Sequence, residues 1–162
     1  MKPFPIHEAA TRHPFAPALL DERFIHDNGI KYNEYAWAVE RCAKALRETE
    51  IAEGNIVALA AAPTIETILT FWGIHQAGGI ALMINPALPD DAISRALRHT
   101  RASALLGSEY SKHVAAKPLV GLGEPLQSVA QIFDPHPRDR SRPATIIMTS
   151  GSTGDAKFVV HS

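Results

Sequence analysis

The sequence has a single cysteine, no long apolar run and no excess of charge of either sign. Because Cys42 is alone among 162 residues, the chain can form neither an internal disulfide nor a cluster of thiolate metal ligands. The longest apolar run, from Ile56 to Ala62, is far shorter than the roughly 20 residues of a membrane span. A formal net charge of -1 argues against binding to nucleic acid or to an anionic membrane. We therefore expect a cytoplasmic protein with small-molecule partners, no nucleic-acid partner and no membrane span.

Signatures of targeting and of metal binding are missing from the sequence as well. Lys2 is followed by Pro3 and Pro5, where a secretory signal would have an apolar core. The eight histidines include no pair at H-x-x-x-H spacing, which is the helical arrangement of many zinc ligands. The sequence thus predicts no metal site of its own.

From about residue 54 to residue 106, apolar segments alternate with amphipathic ones, and hydrophobic residues make up 46% of the whole chain. Helices are predicted to begin at Thr64 and at Pro89, and Gly78-Gly79 is expected to end the first of them. The predicted strands are Ile56–Ala60, Ile80–Ile84 and Ala104–Leu106. Since these strands are apolar along their whole length, they predict an α/β fold with a mostly parallel sheet and helices on both faces.

The segment before this core predicts a short helix and a small β-rich part. The short helix is expected over residues 6–12. Runs of β-forming residues around Asp27-Asn28-Gly29 predict strands at 17–21, 23–26 and 30–32. The fold class is therefore α/β with a small β-rich N-terminal addition.

A longer amphipathic helix is predicted from Asn33, the expected N-cap, to about Thr49. Its apolar stripe consists of Ala36, Val39, Ala43 and Leu46. Cys42 lies at the edge of this stripe and has no base near it in sequence, which favours a packed thiol over a nucleophile.

Beyond Ser108 the pattern weakens. A short helix is expected at 110–115, a strand at 119–121 and a further structured segment at 126–133. The proline- and arginine-rich stretch 134–143 predicts an exposed linker. Its arginines could contact a nucleotide or an acid, but a solvated connector is the interpretation that we favour. The segment Gly121-Leu122-Gly123 lacks the third glycine of a dinucleotide fingerprint.

The most informative stretch is rich in glycine and hydroxyl groups, lies between two apolar runs, and reads Thr149-Ser150-Gly151-Ser152-Thr153-Gly154-Asp155-Ala156-Lys157. The flanking runs, 144–148 and 158–160, predict strands. Glycines let backbone N–H groups approach phosphate oxygens, the hydroxyls add donors, and Lys157 adds a positive charge. The stretch is therefore typical of a polyphosphate-binding loop.

Two alternatives to such a loop fit these residues less well. The Walker-type loop needs four residues between its glycines and a hydroxyl after the lysine, whereas Phe158 follows Lys157. That reading would also require a helix after Lys157. A plain Gly/Ser linker seldom lies between two apolar strands or ends at a lysine.

The stretch from Thr149 to Lys157 resembles the signature T-S-G-[ST]-T-G-x-P-K of the adenylate-forming superfamily, which includes acyl-CoA synthetases and peptide-synthetase adenylation domains. Ala156 replaces the usual proline, and Phe158 stands where many members have a small residue. Weaker matches in the same order are Tyr32-Asn33-Glu34-Tyr35, Gln76-Ala77-Gly78-Gly79 and Asn85-Pro86-Ala87-Leu88-Pro89. The resemblance covers roughly residues 17–162.

The resemblance implies a ligase that uses ATP and Mg²⁺ to convert a carboxylic acid into an acyl-adenylate, which coenzyme A then intercepts. It implies phosphate binding by Thr149, Ser150, Gly151, Ser152, Thr153, Gly154 and Lys157, with Lys157 as the catalytic residue. Within the superfamily, the Asn-Pro segment and the continuation after Lys157 are most similar to o-succinylbenzoate-CoA ligases of menaquinone biosynthesis. It also implies that residues 1–162 are a truncated N-terminal portion of the large domain, inactive alone.

An assembly module is the alternative function from another class. A sheet cut after residue 162 would expose backbone donors and apolar surface, which favours a homodimer through that edge. Measuring the mass in solution separates this hypothesis from the enzymatic one.

Overall fold

The computed structural model of the chain describes residues 5–20, 29–48, 51, 53–107, 116–117, 142–150 and 156–162. In chain order its elements are α1 (Pro5–Arg12), β1 (Pro17–Leu19), β2 (Ile30–Lys31), α2 (Tyr32–Glu48), β3 (Ile56–Ala60), α3 (Ile65–Gln76), β4 (Ile80–Ile84), α4 (Asp90–Thr100), β5 (Ala104–Leu106), β6 (Ala116–Lys117), β7 (Thr145–Ser150) and β8 (Ala156–His161). No helix of this described part is long and apolar enough to cross a membrane.

The main sheet has the strand order β6-β5-β3-β4-β7-β8. β3 pairs in parallel with both β4 and β5, and β4 pairs in parallel with β7. β8 alone runs antiparallel to its neighbour within this sheet. The predicted mostly parallel sheet is thus confirmed, and strands β3, β4 and β5 have the predicted bounds.

Helices cover both faces of the sheet. Strand side chains alternate between the two faces, and successive residues of β3 are apolar, so both faces must be buried. Val57 and Leu59 of β3 pack on one face with residues of α2 and α3, among them Ala43 and Ile74. On the opposite face, Ala58 of β3 packs with Ile93 and Ala96 of α4 and with strand residues of β4, β5 and β7. The connection after β3 therefore leads to one face and the connection after β4 to the other.

The start of α2 differs from the prediction by one residue. The helix begins at Tyr32, which was expected to end a strand, and Asn33 lies inside the helix. The carboxylate of Glu34 accepts a hydrogen bond of 2.8 Å from the backbone N–H of Lys31. An acidic side chain in the first turn thus satisfies the N–H group preceding the helix, in the manner of one half of a capping box. Asn33 as N-cap was wrong, whereas the predicted apolar stripe is buried.

α2 and α3 approach each other closely at Gly73. A Cβ atom added there would lie 2.5 Å from Sγ of Cys42, so only a glycine fits without a shift. Cys42 is 1% exposed, and burial raises the pKa of its thiol to about 11, although a hydrogen bond with Thr70 acts in the opposite direction. The prediction of a packed thiol is confirmed.

Both predicted helix starts in the core also occur. The hydroxyl of Thr64 accepts a hydrogen bond from the N–H of Thr67 at the start of α3. After α3, Gly78 adopts a φ of 86°, which favours glycine and ends the helix. Asp91 in the first turn of α4 forms an ion pair with Arg95, and the hydrogen bond from Arg95, together with its charge, holds the pKa of the Asp91 carboxyl below its usual value.

The two described strands of the N-terminal part, β1 and β2, are shorter than predicted. β1 and β2 form a two-stranded antiparallel sheet, and α1 packs through Ile6 and Ala10 against α2. The strand expected at 23–26 lies outside the described residues, as do the elements expected at 110–115, 119–121 and 126–133. β6 was not predicted.

Of the expected linker 134–143, the structure describes only Arg142 and Pro143, and both are exposed. Arg142 forms an ion pair of 2.7 Å with Glu53, a residue that precedes β3 in the chain. An exposed pair of this kind contributes at most about 1 kcal/mol to stability. It nevertheless ties the chain before β7 to the amino edge of the sheet.

Candidate functional site

The candidate site lies on the β7–β8 hairpin. As the sequence predicts, two strands flank the Gly/Ser-rich loop, and they pair in antiparallel register from Thr145 opposite His161 to Ser150 opposite Ala156. Lys157 is the second residue of β8, so a strand and not a helix follows the loop. A Walker-type loop, which opens a helix, is thereby excluded.

At the tip of the hairpin Thr149 lies directly opposite Lys157. The Thr149 hydroxyl donates a hydrogen bond of 3.4 Å to the backbone carbonyl of Lys157, and both side chains are exposed. Directly opposed residues project from the same face of an antiparallel pair, so a hydroxyl and an ammonium group stand side by side there. Ser150 follows as the last residue of β7. Gly151, Ser152, Thr153 and Gly154 lie outside the described residues.

The tip lies at the edge of the sheet where ligands of open parallel sheets bind. Because β7 is parallel to β4, the end of β7 points toward the same edge as the carboxyl ends of β3 and β4. The connections after β3 and β4 diverge to opposite faces, and such a switch point is where ligands bind in open parallel sheets. The last β4–β7 pair is Met83 with Ile147, so the tip extends beyond this pairing.

One contact fixes the base of the hairpin to α3. His75 is 5% exposed, and its Nε2 lies 3.3 Å from the hydroxyl oxygen of Thr145, the first residue of β7. Its ring also packs edge-on against Phe71, with 4.5 Å between ring centroids. Sequence reasoning missed this contact because nothing in the local pattern around His75 points to a residue so distant in the chain.

A second contact joins the hairpin to α4 on the opposite face. The ring of His99 stacks on the ring of Phe158, with 5.0 Å between centroids and 13° between planes. Phe158 is half-buried and packs with the cluster around Ile93 and Ala96. The sequence marks Phe158 only as a departure from the family signature, and it contains no signal for His99.

The donor set of the hairpin fits a phosphate group better than a metal ion. The exposed Lys157 ammonium has N–H donors for phosphate oxygens, and the Thr149 hydroxyl becomes a further donor if it exchanges its 3.4 Å bond to the Lys157 carbonyl for one to phosphate. In the part of the chain that the structure describes, no group of three or more His, Cys, Asp or Glu side chains could hold a metal ion. His161 of β8 and the neighbouring carboxylates Asp90 and Asp91 of α4 are exposed, and they belong to no such group of described residues.

Comparisons with known proteins support the same interpretation. Residues 6–162 match the family model described as AMP-binding enzyme. Among curated proteins, Surfactin synthase subunit 3 of Bacillus subtilis is 31% identical over 156 residues, which cover 93% of this chain. The chain spans only 12% of the length of that relative.

Solved structures resemble the fold over nearly the whole chain. The Klebsiella oxytoca NpsA N-terminal subdomain, in complex with 3-hydroxyanthranilyl-AMSN, has a TM-score of 0.77 and 26% identity, and it covers 99% of this chain and 40% of its own. The o-succinylbenzoate coenzyme A synthetase MenE of Bacillus subtilis, in complex with AMP, has a TM-score of 0.78 at 21% identity. It covers 98% of this chain and 42% of its own, and at this identity the likeness concerns the fold alone.

The match of the family model extends over almost the whole chain and includes the hairpin. The described fold, with its mostly parallel sheet between helices, corresponds to the N-terminal subdomain of adenylate-forming enzymes. This chain therefore belongs to the AMP-binding enzyme family.

Proposed function

We propose that the protein activates a carboxylic acid with ATP, that this chain is the N-terminal part of its AMP-binding domain, and that the β7–β8 hairpin holds the phosphates. The observation that carries the proposal is the cross-strand pair of Thr149 and Lys157, which lies next to the last pair of the hairpin, Ser150 with Ala156. Its exposed hydroxyl and ammonium groups stand at the carboxyl edge of the sheet. The family match supports the chemistry, and the similarity to Surfactin synthase subunit 3 supports activation of an acid as its adenylate.

In the proposed reaction the acid's carboxylate attacks the α-phosphate of ATP, an acyl-adenylate forms, and pyrophosphate leaves. Lys157 and the loop donors hold the β- and γ-phosphates, which gain charge as the bond to the α-phosphate breaks. Donors already fixed by strand pairing stabilise this developing charge without reorganising during the reaction. ATP brings Mg²⁺ with it, and this ion neutralises phosphate charge.

The acceptor of the acyl group is a thiol in this proposal. The Asn-Pro segment and the continuation after Lys157 resemble those of o-succinylbenzoate-CoA ligases, which favours coenzyme A as the acceptor and o-succinylbenzoate as the acid. The similarity to Surfactin synthase subunit 3 instead favours a thiol on a carrier protein. Supplying the adenylate-forming protein with an acid, ATP and either free coenzyme A or a pantetheinyl carrier protein separates these acceptors by the thioester product.

The experiment that tests the proposal replaces Lys157 in the full-length protein. Lys157→Ala should lower kcat for acid-dependent pyrophosphate release by about a hundred- to a thousandfold, since one preorganised donor to a developing anion is lost. KM for ATP should change less, because the lysine acts mainly on charge that appears in the transition state. The melting temperature should stay nearly constant, since Lys157 is exposed.

Lys44→Ala is the matched control, since Lys44 is an exposed lysine on α2, remote in sequence from the hairpin. An unchanged rate for Lys157→Ala, measured with a panel of acids that includes o-succinylbenzoate and amino acids, would refute the proposed role of the hairpin. The same panel identifies the acid.

Association through the sheet edge stays a prediction. β8 is the outer strand on one side of the described sheet, and Val160 on it is 56% exposed. Sedimentation of the protein decides between a monomer and a homodimer.

A further inference from the structure

We propose that His99 is a positioning residue: by stacking on Phe158 it holds the strand from which Lys157 projects, and so keeps the Lys157 ammonium in place for the leaving pyrophosphate. The inference rests on the function proposed above for Lys157. It assigns a role in catalysis to a residue of α4 that lies far from the phosphate loop in sequence.

The contact itself is well defined. The two rings are nearly parallel, with 13° between their planes and 5.0 Å between their centroids, which is an offset-stacked arrangement. Phe158 is half-buried and packs with the apolar cluster between α4 and the sheet, whereas His99 is exposed. The histidine ring therefore covers one face of the Phe158 ring.

The alternation of side chains along a strand links this contact to Lys157. Met148 and Phe158 oppose each other across the hairpin, and both pack with the cluster on the α4 face. The next pair, Thr149 with Lys157, points to the opposite face. Fixing the ring of Phe158 thus fixes the backbone one residue away from the ammonium-bearing side chain.

The position of the stack explains why such support is needed. Pairing with β4 ends at Ile147, one residue before Met148. Beyond this point the described tip is joined to the rest of the sheet by no further β4 pairing, and its side-chain packing lies on the α4 face. His99 therefore supports the tip where the sheet no longer does.

A purely structural role predicts something different from a positioning role. If the stack only adds stability, its loss lowers the melting temperature and affects the reaction equally whether or not Lys157 is present. If it acts through Lys157, its loss has no further kinetic effect once the lysine is gone. Residues that act through one another are non-additive, and a double-mutant cycle measures this.

The test compares the full-length wild type with His99→Ala, Lys157→Ala and the double variant in acid-dependent pyrophosphate release. His99→Ala alone should lower kcat by about three- to tenfold, in keeping with the loss of one aromatic contact, with KM for ATP within about twofold. In the Lys157→Ala background the same change should leave kcat within about twofold. His99→Phe, which keeps a flat ring over Phe158, should restore the wild-type kcat.

Arg98→Ala is the matched control, since Arg98 is the exposed neighbour of His99 on α4. An equal loss from His99→Ala in both backgrounds, or no recovery in His99→Phe, would overturn the positioning role while leaving the function intact. An unchanged rate for Lys157→Ala would instead overturn the proposed role of the hairpin, and a wild type without acid-dependent pyrophosphate release would overturn the proposed function itself. If His99→Ala does not fold, His99→Leu against His99→Phe makes the same comparison between a branched chain and a flat ring.

Discussion

Strands β3 and β4 and the hairpin strands β7 and β8 are alike in composition, yet they differ in burial. Val57, Ala58 and Leu59 of β3 are completely buried. In the hairpin, Ile147 is 41% exposed and Val159, directly opposite, is 43% exposed. Residues with the same strand preference are thus buried in β3 and partly exposed in the hairpin. The difference arises because helices cover β3 on both faces.

Leu59→Ala against Val159→Ala tests this contrast most strongly. Leu59 is 0% exposed and packs on the sheet face that α2 and α3 cover. Its truncation should therefore lower the free energy of unfolding by about 2 to 5 kcal/mol. Val159 is already 43% exposed, and its truncation should cost less than about 1 kcal/mol. Urea unfolding of both variants measures the two losses, and similar losses would mean that the hairpin is as well packed as the interior.

The next largest effect is expected where α2 and α3 pack against each other at Gly73. Gly73→Ala puts a Cβ atom 2.5 Å from Sγ of Cys42, so α2 and α3 must move apart at a cost of about 1 to 3 kcal/mol. Cys42→Ala removes the sulfur, and the double variant should therefore lose less than the sum of the single losses. Thermal unfolding of the three variants measures this, and strict additivity would speak against close contact of these helices.

The smallest expected effect is the pH dependence of stability that comes from His7 of α1, the helix that packs against α2. Burial lowers the pKa of His7 from 6.5, while the charge of Glu40 acts in the opposite direction. The unfolded chain therefore binds a proton more readily than the folded chain, so stability is present above pH 6.5 and is lost as the pH falls below it. His7→Gln should flatten the loss of unfolding free energy over this range. An equally steep loss in the variant would assign it to other groups.

The sequence predicted the interior strands well because their apolar runs are bounded by glycine and proline, as at Gly78-Gly79 before β4. It predicted the hairpin because short β-branched runs flank the loop. It failed at Tyr32, where the Glu34 carboxylate starts the helix earlier than an Asn33 cap would. The contacts of His75 and His99 could not be predicted, since each joins residues that only the tertiary fold brings together.

The strand order also bears on the sequence of folding events. Ile80 of β4 pairs with Ile56 of β3 across one helix, whereas its neighbour Ala81 pairs with Thr145 of β7 across a much longer stretch of chain. Closing a longer loop costs more entropy, so contacts across short separations form first. In pulse-labelling hydrogen exchange, we expect the amides of Val57 and Leu59 to become protected before that of Ile147. The hairpin that carries the proposed phosphate site would then dock only after the sheet it extends has formed, so early intermediates would lack this site.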